Sequence, residues 1–185
     1  MLLLDEIDSP IGRIAIAVHD GRLCALEFGS ARLAAQLATR YDGRTPRRRV
    51  GDPSGVSTKI RAYLAGDLTA IDDITVDTGG TAFQRRVWRA LRRIPAGRTM
   101  SYGQLARALD RGAAARAVGA ANGRNPISIV VPCHRLVGGD ASLTGYGGGL
   151  WRKRWLLRHE GEWAATGSRV AARYRRRPRA GRADR

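Results

Sequence analysis

Cysteine and histidine are scarce in this chain: Cys24 and Cys133, with His19, His134 and His159, among 185 residues. So few cysteines exclude a disulfide-stapled scaffold. One bridge, or a reduced chain with a single working thiol, are equally consistent with them. A structural zinc site needs about four Cys or His ligands at tight spacing. The scattered histidines do not supply them, and no metal is expected. Long apolar runs are missing too. The longest, such as Ile127–Val131, suit buried strands and fall far short of a bilayer span. The N-terminus shows no basic region followed by an apolar stretch, so no secretory signal is expected. These absences predict a soluble, cytoplasmic chain, with an ordinary apolar fraction of 43% from which to build a core.

Acidic residues are the other shortage. Sixteen Asp and Glu stand against 33 Lys and Arg, nearly all of them Arg, for a formal charge of +17. An excess of that size attracts polyanions, of which nucleic acid is the usual one. Residues 169–185 hold eight Arg and one Asp, so +7 lies in that tail and +10 on the rest. A GC-rich genome would also enrich arginine, so charge favours nucleic acid without showing it.

The first 28 residues read as a β meander: Leu2–Ile7, Arg13–His19 and Arg22–Phe28, with Asp20-Gly21 as a hairpin turn. Helical patterns follow at Ala31–Tyr41 and Ser57–Leu64, separated by a polar stretch, Asp42–Pro53, that reads as a loop. Ile71–Val76 suggests a further strand, and Gly79-Gly80 a domain boundary. Thr81 with Gln84 forms a capping box opening a helix to about Arg93, with Phe83, Val87, Ala90, Leu91 and Ile94 on one face. Ser101 caps a second helix, and a turn at Arg111-Gly112 leads to a third over Ala113–Asn122. Two short helices joined by such a turn make a helix-turn-helix candidate. The division expected is an N-terminal domain over 1–78, a C-terminal domain over 79–163 and a disordered basic tail over 164–185.

The third helix carries almost no side chain longer than valine except Arg116. Helices that read the major groove display several Asn, Gln, Arg or Lys toward base edges. A bare one can approach a backbone closely, even in a minor groove roughly 6 Å wide, with one long arginine to enter the stack. A packed alanine-rich core helix would read the same way. Downstream, the buried run 127–131 leads into Pro132-Cys133-His134-Arg135. Cysteine next to histidine invites a nucleophile, because a free thiol needs a base or positive charge to ionise near neutral pH. Adjacent residues of an extended chain point apart, so a direct contact requires a turn or a bridging water. Alone, a buried cysteine is more often inert packing.

The whole stretch goes further. Phe83-Gln84, Val87-Trp88, Ile94-Pro95, Gly97, Thr99, Ser101-Tyr102-Gly103 and Leu105-Ala106 run into Ala115-Arg116-Ala117-Val118-Gly119. Asn125-Pro126, Val131-Pro132-Cys133-His134-Arg135, Leu143-Thr144-Gly145-Tyr146, Gly148-Gly149, Lys153, Leu156-Leu157 and His159-Glu160-Gly161 follow. In this pattern residues 81–163 closely resemble the O6-alkylguanine-DNA alkyltransferases, which are methylated-DNA–protein-cysteine methyltransferases. The resemblance implies an α/β N-terminal domain, RNase H-like, with an antiparallel sheet and helices. Beside it stands a mostly α-helical C-terminal domain with the helix-turn-helix and a small sheet. It implies direct-reversal DNA repair without a cofactor: the alkyl group of an O6-alkylguanine moves irreversibly to Cys133 after minor-groove binding and base flipping. The partner implied is double-stranded DNA carrying that lesion, bound by a monomer, with cooperative assembly on DNA left open. The cellular place implied is the cytoplasm, at the nucleoid in a bacterium.

By the same resemblance, His134 relays the thiol proton through a water and Glu160 orients it. Asn125 is the hinge between helix and active-site segment, and Tyr146 donates a proton to the leaving guanine. Tyr102, Ala115, Arg116, Gly119, Ala120 and Arg135 contact DNA, with Arg116 as the finger and Tyr102 crowding a phosphate. Val131, Pro132, Tyr146, Gly147 and Lys153 line the substrate pocket. Gly147 stands where several relatives have serine, which implies a looser pocket. Two rivals differ in class: a thiol hydrolase, which gives no reason for the bare Arg116 helix, and a protein that recognises alkylated DNA without reacting. The sequence leaves open which lesion is preferred among O6-methylguanine, larger O6-adducts and O4-methylthymine.

Overall fold

The computed structural model describes residues 1–41, 45–109 and 115–161. Three strands form the meander, β1 (Leu2–Ile7), β2 (Ile14–His19) and β3 (Arg22–Phe28). Asp20 and Gly21 both take positive φ, 48° and 71°, as a tight two-residue hairpin requires. Helix α1 (Ser30–Tyr41) covers one face of the sheet, its Leu33 and Leu37 packing on Ala15, Ala17, Cys24 and Ala25. The Cys24 thiol donates to the Ala17 carbonyl at 3.2 Å, and both cysteines are free. Helix α2 (Val56–Leu64) packs against the larger core on the other face.

Two expectations in this half need correction. The stretch expected as a loop over 42–53 contains β4 (Arg47–Arg49), which pairs in parallel with β1 and makes the sheet mixed, in the order β3-β2-β1-β4. Backbone pairing alone holds it: Leu2 N–H donates to Pro46 O and Val50 N–H to Leu4 O, while all three arginines are exposed. A strand with nothing buried has no apolar alternation to read. Residues 71–76 are not a strand. They turn, Ile74 N–H donating to Ile71 O, and only Val76 bridges to Leu23. Ile71 and Ile74 both face the core at a spacing of three, which suits a turn.

In the second half, α3 (Ala82–Leu91) and α4 (Tyr102–Ala108) each begin with a complete capping box, Thr81/Gln84 and Ser101/Gln104. Helix α5 (Ala115–Gly123) packs on both, and Trp88 Nε1 donates to Ala121 O at 3.0 Å. The turn expected at 111–112 lies outside the described residues, as does the tail from 162 onward. Strands β5 (Met100–Ser101) and β6 (Leu136–Val137) form a two-stranded parallel sheet, and residues 150–161 are helical, here α6. No described helix is long and apolar enough to cross a membrane.

The segment 127–131 is buried as expected but is not a strand. One parallel bridge joins Ile127 to Leu26 at the β3 edge; then the chain curls, Val131 N–H donating to Ile127 O, with Ile129 at φ 70°. Asn125 causes the curl. Its Oδ1 accepts from Ile127 N–H at 3.0 Å, and its Nδ2 donates to Val131 O at 2.8 Å and Ile127 O at 3.3 Å. A side-chain amide thus takes hydrogen bonds that a strand partner would have taken. Through the β3 edge and a shared core of Ile60, Tyr63, Val87, Leu91, Val131 and Leu156, the two halves pack as one body.

Candidate active site

The curl set by Asn125 delivers the chain to Pro132 and into a 3-10 turn, Cys133–Arg135, closed by Arg135 N–H donating to Pro132 O. An extended chain would send Cys133 and His134 to opposite sides. The turn puts both inside, at 5% and 0% exposure, with Val131 and Pro132 buried before them. Burial pushes the Cys133 thiol up to about 11; Glu27 adds to that, while a hydrogen bond from Asn125 and the charge of Lys153 oppose it. At neutral pH this sulfur carries its proton, so any nucleophilic role requires a base.

His134 can be that base. Burial lowers its pKa below the ordinary value, Arg135 and Lys153 adding to the effect against the pull of Glu160. Its Nε2 lies 2.9 Å from Glu160 Oε1, and its buried Nδ1 has no hydrogen-bond partner. Glu160, fully buried, also accepts from Tyr63 Oη at 2.7 Å, from Arg135 Nη2 at 2.7 Å and Nε at 3.0 Å, and from Gly97 N–H at 3.2 Å. Burial alone would raise this carboxyl, but His134 and Arg135 outweigh it and hold it well below the usual carboxylate range. A carboxylate with only acceptors to offer fixes the tautomer. The Nε2 atom of His134 carries the hydrogen, and Nδ1 presents the lone pair.

Arg135 corrects an expectation. Placed by the sequence at the DNA, it is instead buried at 6%, its guanidinium divided between Glu160 and the Ile94 carbonyl. The buried carboxylate needs a permanent positive charge more than the surface does. Lys153, fully buried, donates from Nζ to Thr144 O at 2.7 Å, and burial lowers its pKa while the Cys133 charge opposes that. Tyr146 sits on the glycine-rich loop before α6. Its hydroxyl is buried without a hydrogen-bond partner, and burial, with the charges of Cys133, Tyr63 and Glu27, raises its pKa well above the ordinary value. It therefore stays protonated and can donate. Gly147 is exposed beside it, with Arg32 Nη2 3.0 Å from where a Cβ would stand.

Ala115, Arg116, Ala117 and Ala120 are exposed on α5, while Val118 and Ala121 face the core. Gly119 lets the Tyr102 ring approach to 3.8 Å of its missing Cβ. Tyr102, at the start of α4, is half-buried; burial and the nearby Cys133 raise its pKa, and a hydrogen bond with Thr144 opposes them. The structure thus brings Cys133, His134, Glu160, Asn125, Tyr146 and Lys153 together, and leaves Arg116 on an outer face. Tyr63, Gly97 and Glu27 were missed. Tyr63 and Gly97 give no local signal, since they meet Glu160 from far along the chain. Glu27 does, as an acid among the apolar residues 23–28, buried at 6%.

Comparison with known proteins places this geometry. Residues 82–162 match the family model described as 6-O-methylguanine DNA methyltransferase, DNA binding domain. Residues 4–78 match 6-O-methylguanine DNA methyltransferase, ribonuclease-like domain. A methylated-DNA–protein-cysteine methyltransferase of Shigella flexneri is 51% identical over 164 residues, covering 86% of this chain and 96% of the relative. The same-named protein of Mycobacterium bovis is 48% identical over 165 residues, covering 86% and 93%. Among solved structures, the crystal structure of Mycobacterium tuberculosis OGT in complex with DNA superposes with a TM-score of 0.73 at 44% identity, covering 87% of this chain and 94% of that one. With both halves matched and about half of its residues shared with relatives of nearly equal extent, the chain belongs to the methylated-DNA–protein-cysteine methyltransferase family.

Proposed function

We propose that this protein repairs alkylated DNA by one irreversible transfer, from the O6 atom of an alkylguanine in a duplex to Cys133. The observation that carries this reading is a buried thiol followed, in one tight turn, by a buried imidazole whose Nε2 is held by Glu160 and whose Nδ1 lone pair has no partner. The thiol proton passes to Nδ1 by way of a bridging water, and Glu160 stabilises the imidazolium that forms. The thiolate attacks the alkyl carbon; an S–C bond forms and the O6–C bond breaks. Tyr146 donates its proton as electron density returns to the guanine ring, and the imidazolium restores it. The net result is an S-alkyl cysteine and an unmodified guanine. A thioether is much harder to cleave than an alkoxy-purine, so each chain acts once.

A base inside a duplex cannot reach a buried sulfur and must be flipped out, at about a few kcal/mol. The bare α5 face suits this. Ala115, Gly119 and Ala120 let backbone approach the minor groove, Arg116 fills the gap in the stack, and Tyr102 crowds the neighbouring phosphate. Binding of this kind reads shape and phosphates rather than sequence. The lesion expected is O6-methylguanine, handled by a monomer.

Intact-protein mass after mixing with duplex DNA carrying one O6-methylguanine tests the reading. One added methylene equivalent per chain, mapped to Cys133 and absent in Cys133→Ser, is the expected result. Lesion binding by folded, reduced protein without that gain would sink it and favour recognition alone, which the near-complete burial of the thiol makes the second reading.

A further inference from the structure

The Cys133 sulfur is nearly closed off from solvent, and the loop that carries Tyr146 lies beside it. Three cationic side chains hold that loop by its carbonyls. Lys153 takes Thr144 O, and Arg152 takes Gly148 O at 2.7 Å while its Nε donates to Ile11 O at 2.7 Å. The third tether comes from the other half of the molecule. Arg32, on α1, donates from Nη1 to Gly147 O at 2.5 Å, and its Nε lies 3.3 Å from the buried Glu27 carboxylate. Gly147 and Arg32 fit as a pair: a Cβ at 147 would stand 3.0 Å from Arg32 Nη2, so a side chain there crowds the guanidinium and pushes it off its present position by a few tenths of an ångström. The Phe28 ring, next to Glu27 in β3, packs toward Tyr146 at 6.2 Å between centroids and fills the space beside Gly148.

These tethers differ in strength. Lys153 is fully buried, and Arg152 lies across Phe28 at 4.9 Å. Arg32 is 51% exposed, so water competes for its contacts and its release costs least. A base reaching Cys133 has to be accommodated by the loop that Arg32 holds.

We propose that Arg32 of the N-terminal domain, seated between Glu27 and the Gly147 carbonyl, is a specificity-determining residue that latches the Tyr146 loop over Cys133 and thereby restricts the size of the transferred alkyl group. A closed latch holds Tyr146 against a small O6 substituent and excludes a bulky one. An open latch loosens Tyr146 and widens the pocket. The inference rests on the alkyl-transfer reading for its substrates, though not for the latch itself.

The test compares wild type, Arg32→Ala, Arg32→Lys, Gly147→Ser and the Arg32→Ala/Gly147→Ser double variant. Rates of S-alkylation are read by intact mass with O6-methylguanine and with O6-benzylguanine, each placed in the same duplex DNA. Removing Arg32 also strips Glu27 of its counter-charge and slows both substrates through the thiol alike, so the benzyl-to-methyl rate ratio isolates the loop. That ratio rises about fivefold in Arg32→Ala, as expected for losing a charge-assisted bond at a half-exposed site. It rises less in Arg32→Lys, which keeps the charge but not the fork. Gly147→Ser, by crowding the guanidinium, raises it too, opposite to the tighter pocket that the resemblance implies for serine, and adds nothing in the Arg32→Ala background. An unchanged ratio, or two substitutions whose effects multiply, would overturn the proposal. Amide hydrogen exchange over residues 143–149 separates the latch from the chemistry. If the wild type takes up no alkyl group, the transfer reading fails, while faster exchange in Arg32→Ala still supports the latch and unchanged exchange overturns it.

Discussion

Around Glu160 polar groups converge out of contact with solvent: a tyrosine, an imidazole, a guanidinium and a backbone N–H all point at one buried carboxylate. On the outer face of α5 the design is reversed. Alanines and one arginine lie open to solvent, and little there specifies a partner's atoms. In the proposed reaction the first region moves a proton and needs fixed geometry, and the second meets a polymer whose sequence it ignores. One part of the protein is rigid through satisfaction, the other permissive through emptiness.

The largest effect expected is Glu160→Ala. It strips the counter-charge from Arg135 and the tautomer-fixing acceptor from His134, and a broken buried ion pair costs about 3–5 kcal/mol. Urea denaturation reads that loss, and transfer to Cys133 falls with it. A change under 1 kcal/mol, as at an ordinary exposed site, would show that the cluster is not the rigid region described. Arg116→Ala sharpens the contrast from the other side. Stability holds, and transfer from duplex DNA slows about tenfold or more, because flipping a base costs a few kcal/mol. Reaction with free O6-benzylguanine, which needs no flipping, stays at the wild-type rate; equal slowing of both substrates would place Arg116 in the chemistry instead.

Acid separates the two regions next. The His134 pKa is depressed in the folded chain, so the unfolded state binds more protons as pH falls through about 6.5, and stability declines from there. Glu160 is depressed too; its contribution is full above about 4.5 and is lost as pH drops further. Denaturation midpoints measured from pH 8 to pH 2 should therefore fall in two stages, the first missing in His134→Gln. If His134 is the base, as proposed, it acts in its neutral form, and the transfer rate holds its plateau to below the ordinary histidine range. The smallest effect is Thr81→Ala, which removes the α3 cap at about 1 kcal/mol, visible as a lower thermal midpoint with the transfer rate of folded protein unchanged.

Local chemistry was legible in the sequence. The Asp20-Gly21 turn, the Thr81/Gln84 capping box and the Ser101 cap declare themselves over one to four residues, and all three form. The motif around Cys133 singled out Asn125, Tyr146 and Lys153, which lie near the thiol, and His134 and Glu160, which pair with each other. What escaped was set by distant partners. β4 buries nothing and exists through bonds to β1, and residues 127–131 look like a strand until the Asn125 amide takes their hydrogen bonds. Arg135 reads as one more surface cation because the acid that draws it inward lies 25 residues along the chain. Tyr63 is further still, 97 residues from Glu160.

That Tyr63 contact ties the two halves to a common fate. A hydroxyl from α2 donates to the carboxylate that holds His134, so the C-terminal domain expressed alone would lack one donor to that carboxylate. Fusions or exchanges that treat the halves as interchangeable cassettes should carry α2 along with residue 160. For a protein that reacts once, the consequence is that a molecule whose first half has opened would lose this contact to Glu160 before its cysteine is used.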